Sequence, residues 1–379
     1  MKAIINGKIL TKDEVLEGKV LIFNEKIIDI KDFDENEIKR YEVIDAKGLY
    51  VSPGLVDIHI HGSGGYDTMD NEKDAVKVIS ETICKTGVTS FLPTTMTMAK
   101  EDIYNSLKNI KYFMSNKIKG AKVLGTHLEG PFINEKYKGA QNANYIQSPT
   151  FDFIKDYIDI IKIISYSPET DIDFSFTKSV LENTDIVLSI CHTELTYDEG
   201  KKYVNLGVSN ITHLFNAMTP LNHREPGIVG LSLMDDRLYC EIIADKIHVN
   251  KDLFDFVIKN KGLGKLVLIT DSMRAGCMKD GEYDLGGQKV TVKDGAARLT
   301  SGNLAGSVLT LNKAVFNYFE NTNLKINEAI NLASINPANS INEKNIGKLE
   351  VGYDSDIALF DENMECYMTL VNGEIVYKR

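Results

Sequence analysis

Seven short apolar runs recur through the middle of the chain: LVDIHIHG (55–62), VTSFLPTT (88–95), KVLGTHLEG (122–130), DIVLSICHTEL (185–195), NITHLFNAM (210–218), YCEIIADKIHV (239–249) and KLVLITDS (265–272). They lack strict alternation, as strands buried on both faces do. Longer segments such as 71–86, 151–165 and 251–261 lie between them and carry helical spacing. Strand and helix in alternation predict an α/β fold with a parallel sheet, and this many units predicts a closed (β/α)8 TIM-type barrel over 53–344. No GxGxxG or P-loop motif occurs, which weakens a nucleotide-binding open sheet.

Both ends read differently. AIINGKIL (3–10) and KVLIFNEKIIDI (19–30) are β-branched runs broken by Asn-Gly and Asn-Glu. DIALFD (356–361) and a hairpin around Asn372-Gly373 close the chain. Segments 1–52 and 345–379 are therefore expected to pair into one small β-sandwich domain.

The 379 residues have an ordinary globular composition, and 43 basic against 54 acidic side chains leave a net charge of −11. Such a surface argues against broad nucleic-acid binding. No run reaches the roughly 18 apolar residues of a membrane span, and the start carries no signal-peptide pattern. Five cysteines (Cys84, Cys191, Cys240, Cys277 and Cys366) form no CxxC pair. Free thiols in a reducing cytoplasm are expected.

The candidate chemistry lies at the ends of the apolar runs. Six of seven histidines sit in or just after one. A single histidine there is usually a hydrogen-bonded core residue; six are hard to attribute to packing. His59 and His61, at i and i+2 of a strand, face the same way and can bind one cation. Glu129 ends another run, where a carboxylate must be paired or bind metal. His192 and His213 follow two more. Two imidazoles and a carboxylate suit a divalent metal with an open position for water. Asp271 stands where a general base acting on a metal-activated water is expected, although an Asp there also reads as a helix N-cap. His127 is assigned to support rather than ligation. Arg224, in a Gly/Pro-bounded loop, has the fork that grips a phosphate.

The stretches SPGLVDIHIHG, HLEGPF, KGAQ, THLFNAMTPLNHREPG, ADKIHV, TDSMRAG and GEYDLGG, with IGKLEVGYDSDIALFD and VNGEIV, resemble the N-acetylglucosamine-6-phosphate deacetylases of the metal-dependent amidohydrolase superfamily. The resemblance covers nearly the whole chain. It implies a barrel with a β domain from both termini, and hydrolysis of the N-acetyl amide of N-acetyl-D-glucosamine 6-phosphate in amino-sugar catabolism and cell-wall sugar recycling. Another amidohydrolase amidase or deaminase is the alternative. Position by position, Glu129, His192 and His213 match metal ligands and Asp271 the catalytic acid/base. Ala140, Gln141, Asn216, Ala217, Arg224, His248, Leu304, Ala305 and Gly306 match substrate contacts. Some members carry His at the position of Gln141, and some lack the His59/His61 pair. A second metal on His59 and His61, sharing Glu129, is the expected substitute for that His. The cofactor is then one or two divalent ions per subunit, with Zn, Fe, Mn and Co all compatible. A homodimer is implied, and Cys191 is expected to fill space.

Overall fold

The structure is a computed structural model that describes residues 1–116 and 118–379. All seven apolar runs contain strands. Thr126–Glu129, Ile161–Tyr166, Val187–Ile190, Asn210–Ile211, Tyr239–Ile243 and Leu266–Ile269 form one parallel sheet in that order. Leu55–Ile60, Val88–Pro93 and Lys122–Val123 form a second parallel sheet. Bridging pairs tie the two together, Thr94 with His127 on one side and Ile60 with Ser272 on the other. Nearly every side chain in these strands is buried, which is why the runs show no alternation.

Helices cover the strands by the usual amphipathic logic. In Ala75–Ile83, residues Ala75, Val76, Ile79 and Ile83 share the buried face. Tyr197–Leu206 starts with a reciprocal Thr196–Glu199 capping box and stops at Gly207. The segment 151–165 departs from its predicted helix. Only Phe151–Ile154 is helical, and the chain then enters the strand Ile161–Tyr166. Phe153, Ile154, Tyr157, Ile160, Ile161 and Ile164 are all buried, and their spacing mimics a helical stripe. The β-branched Ile161, Ile163 and Ile164 instead fill the gap between Thr126–Glu129 and Val187–Ile190.

The terminal strands form two further sheets. Glu374–Lys378, Cys366–Val371, Ile357–Phe360, Tyr50–Pro53, Lys8–Leu10 and Val15–Leu16 make one; Ile27–Asp32, Lys19–Phe23, Lys2–Ile5 and Glu42–Asp45 make the other. A separate hydrophobic core joins Ile4, Leu21, Phe23 and Ile27 to Leu359 and Leu370. Asn6-Gly7 makes no hairpin: it passes the chain from one sheet to the other. A Cβ on Gly7 would lie 2.4 Å from Val51 Cγ2, so only glycine fits that crossing.

One element was not anticipated. Gly281–Leu285, Gln288–Lys293 and Ala296–Leu299 make a small antiparallel sheet after the last parallel strand. Among the described residues, no helix is long and apolar enough to cross a membrane. All five cysteines are free, and only Cys277 is exposed.

Candidate active site

Five parallel strands end in polar residues that converge on one point. His59 lies in Leu55–Ile60 and His61 directly follows it; Glu129 closes Thr126–Glu129. His192, His213 and Asp271 each stand two residues beyond a strand end. These last three have φ of 45°, 34° and 48°, in the left-handed region that costs a non-glycine residue free energy. Strain of this kind clusters where a structure must aim particular side chains. Here each turn swings a side chain back over the strand ends.

The carboxylate of Glu129 is the centre. Its Oε1 lies 3.2 Å from His213 Nε2, 3.4 Å from His192 Nε2 and 3.7 Å from His59 Nε2. Its Oε2 lies 3.2 Å from His61 Nε2 and accepts from Gln141 Nε2 at 2.8 Å. Asp271 Oδ1 is 3.2 Å from His61 Nε2 and 3.6 Å from His59 Nε2.

The other ring nitrogens fix the tautomers. His61 Nδ1 faces Thr94 O at 3.2 Å, His192 Nδ1 faces Tyr137 O at 2.7 Å, and His213 Nδ1 faces Asn216 O at 3.1 Å. His59 Nδ1 pairs with Glu241 Oε2 at 2.9 Å. Each Nδ1 therefore carries a hydrogen, which leaves Nε2 as the atom that takes up either a proton or a cation, the arrangement that orients metal-binding histidines. His59 Nε2 is fully buried and has no hydrogen-bond partner. A ring nitrogen left without a partner beside two carboxylates is a place a cation would fill, so the residues present fit a divalent ion. Among the described residues three sets of donors lie close enough to share a cation: Glu129, Cys191, His192 and His213; His59, His61 and Asp271; and His59, His127 and Glu241. The first two face each other across the Glu129 carboxylate.

Electrostatics agree. Burial disfavours charge on His59, yet Glu241, Glu129 and Asp271 outweigh it and raise its pKa to about 9. Burial opposes charge on Glu129 too, but His192 and His213, then His59 and His61, hold it well below the ordinary carboxylate range. Asp271 is also held low against its burial, by His61 and His59. The carboxylates stay ionised and demand positive charge.

His127 is not part of the convergence. Its Nδ1 faces Ile58 O at 2.8 Å and its Nε2 faces Ser165 Oγ at 2.6 Å, and burial pushes its pKa to about 4. It packs as a neutral ring 4.5 Å from that of His59.

A cavity of about 170 Å³ opens over the cluster. Of the anticipated substrate contacts, Ala140, Gln141, Asn216, Ala217, His248, Leu304 and Gly306 line it. Ala305 is buried behind Leu304, its N–H donating to Ala297 O. Gln141 is committed at both ends, since its Oε1 also accepts from Thr97 N. His248 Nδ1 pairs with Asp245 Oδ2 at 2.6 Å, which raises its pKa against the effect of burial. Arg224 lies on an exposed loop and is not among the lining residues.

Sequence reasoning missed several groups. Glu241, behind His59, orients that ring. Asp57 accepts from Thr270 Oγ1 at 2.6 Å, and burial pushes it to about 7. Both interrupt apolar runs as Glu129 does, so the same signal could have found them. Leu285 enters the cavity from the unanticipated sheet.

Residues 50–376 match the family model "Amidohydrolase family". An N-acetylglucosamine-6-phosphate deacetylase of Lysinibacillus sphaericus is 38% identical over 336 residues, which cover 88% of this chain and 87% of the relative. The crystal structure of the Pasteurella multocida N-acetylglucosamine-6-phosphate deacetylase superposes with a TM-score of 0.92 at 29% identity, covering 99% of both chains. A mutant of the Mycobacterium smegmatis enzyme, solved in complex with N-acetyl-D-glucosamine-6-phosphate, does so at 0.91 and 26% identity, covering 100% of this chain and 99% of that one. The chain thus belongs to the amidohydrolase family, in the group of the N-acetylglucosamine-6-phosphate deacetylases.

Proposed function

We propose that this chain hydrolyses the N-acetyl amide of N-acetyl-D-glucosamine 6-phosphate, giving D-glucosamine 6-phosphate and acetate, in amino-sugar metabolism. The observation that carries this is the convergence of four imidazole Nε2 atoms on two ionised carboxylates beneath a cavity. The deacetylase relatives supply the substrate class.

Glu129, His192 and His213 would hold one divalent cation, and His59 and His61, which also face Glu129, would hold a second. Such a cation, when bound, acidifies water to a pKa near 7 and polarises the amide carbonyl. Zn, Fe, Mn and Co all accept these donors, and availability selects among them. Asp271, kept ionised by its surroundings, takes the proton from the attacking water at Oδ1. It then returns that proton to the amine nitrogen, which cannot leave as an anion. Gln141 donates to Glu129 Oε2, the oxygen other than the one that faces His192 and His213, and so fixes the carboxylate. His248 presents Nε2 to the sugar or its phosphate, with Asp245 fixing the ring. Ala140, Asn216, Ala217, Leu304, Ala305 and Gly306 shape the cavity wall around the sugar.

Arg224 anchors the phosphate. Its exposed position fits a homodimer in which a loop of one protomer completes the cavity of the other. The two parallel sheets, tied at both edges, are read as one closed (β/α)8 barrel over 53–344. The terminal sheets are read as a separate β-sandwich of 1–52 plus 345–379. Five free cysteines suit a cytoplasmic enzyme.

The test is acetate release from N-acetylglucosamine 6-phosphate beside the unphosphorylated sugar and the galactosamine epimer, with metal analysis of the same sample. Preference for the phosphorylated gluco substrate supports the proposal; equal rates on the sugar without phosphate would overturn it.

A further inference from the structure

The thiol of Cys191 stands where a space-filling side chain would not need to. Consecutive residues of a strand face opposite ways, but the left-handed turn at His192 (φ 45°) lets Cys191 and His192 converge. Cys191 is fully buried, and its Sγ lies 3.5 Å from His213 Nε2 and 3.7 Å from Glu129 Oε1. All four donor atoms of Glu129, Cys191, His192 and His213 lie within 4.8 Å of one another.

We propose that Cys191 is a thiolate ligand of the cation that Glu129, His192 and His213 would hold, which closes that position with four donors and leaves the activation of water to the cation of His59 and His61, beside Asp271; this rests on the metal reading above. The distances between donors carry it. With metal bonds of about 2.3 Å to sulfur, 2.0–2.1 Å to nitrogen and 2.0–2.2 Å to oxygen, a tetrahedron sets N···O at about 3.3 Å and S···N or S···O at about 3.5–3.6 Å. The structure has N···O of 3.2 and 3.4 Å, S···N of 3.5 Å and S···O of 3.7 Å. These four of the six donor–donor distances match the edges of one coordination sphere, and the other two are within 4.8 Å.

Charge agrees with geometry. One carboxylate and one thiolate neutralise one dication, so the buried site carries no net charge, the cheapest state for it. On binding, the metal–sulfur bond forms, the S–H bond breaks and the proton leaves to solvent, with no change of oxidation state. A thiolate also sets preference. Soft sulfur favours Zn²⁺, Co²⁺ and Fe²⁺ over Mn²⁺ and Mg²⁺. The complete donor set makes this the tighter of the two cation positions.

Apoprotein of the full chain, titrated with Co²⁺ and read by absorbance, tests the assignment without reference to activity. A near-ultraviolet thiolate-to-cobalt charge-transfer band is expected, saturating at one equivalent. It should be absent in Cys191→Ala and retained in Cys277→Ser, which removes the exposed cysteine. The nearly isosteric Cys191→Ser gives the same comparison if the alanine variant does not fold. In chelator competition, Zn²⁺ affinity should fall by at least the 10- to 100-fold that outer-shell changes alone cause, while Mn²⁺ affinity moves far less. Bound cobalt with d–d absorption but no charge-transfer band in the wild type overturns thiolate ligation and leaves the proposed function standing. A wild-type chain that binds no cobalt overturns the metal reading itself.

Discussion

Replacing Asp271 by Asn separates proton transfer from folding and from cation binding. Asp271 has φ 48°, and Asn is among the few non-glycine residues at home there, whereas Ala would carry about 1–2 kcal/mol of left-handed strain. Its anchors are backbone groups: its N–H donates to His59 O at 2.9 Å, and its carbonyl accepts from Ser307 N at 2.7 Å. Neither changes in the variant. The amide also keeps an oxygen where Oδ1 stands, 3.2 Å from His61 Nε2. The metal-loaded variant should therefore unfold within about 2 °C of wild type and retain its metal. What it lacks is a group that takes and returns a proton. General acid–base groups contribute about 10²–10⁴ in rate, which is about 2.7–5.4 kcal/mol of barrier. A coupled assay of acetate release, with metal content measured on the same sample, should show that drop in kcat at unchanged metal. Full activity would remove Asp271 from the chemistry. Activity that falls only in step with lost metal would make it a ligand and not the base.

Three further outcomes follow from named contacts. Arg224→Ala should lower kcat/KM on the phosphorylated substrate by about 10- to 150-fold, the worth of a charge-assisted bond, and leave the unphosphorylated sugar nearly unchanged; equal losses would make Arg224 structural. The double variant His59→Asn/His61→Asn should bind one cation fewer per chain than wild type, read by metal titration of the apoprotein, and matching stoichiometry would refute the second site. Lys122 Nζ joins Asp354 at 2.8 Å and the buried Asp356 at 2.6 Å, so Lys122→Met should cost about 3 kcal/mol, the low end for a broken buried pair because Lys122 is partly exposed. Asp354 is held below its usual value of 3.8 by Lys122 and Lys26, which outweigh burial; its pairing stabilises at neutral pH and is lost as acid titrates it. The gap between Lys122→Met and wild type should accordingly shrink in denaturant titrations below about pH 4.

The site was more legible in the sequence than the fold. A charged or imidazole side chain at the end of an apolar strand is conspicuous because burial penalises it. His59, His61, Glu129, His192, His213 and Asp271 were all visible that way, and all six meet in space. Glu241 and Asp57 obey the same rule but sit inside their runs, where they read as interruptions. The strand Ile161–Tyr166 was hidden because its isoleucines continue a helical stripe begun at Phe153, and only its neighbours in the sheet decide between the two periods. The antiparallel sheet of 281–299 announces itself only briefly: Val290 and Val292 alternate inward along one strand, and only Leu285 and Ala297 join them in burial. Arg224 shows a further limit, since the sequence identifies a loop but not the surface it faces.

In the proposed function these buried imidazoles and carboxylates serve metal-dependent removal of an acetyl group. Acetate release from N-acetylglucosamine 6-phosphate, followed as metal is added back to chelated protein, tests it most directly. Apoprotein should release none, and acetate and glucosamine 6-phosphate should appear in equal amounts once a divalent cation is restored. Full release from protein shown to be metal-free, or none from fully loaded protein, would contradict it.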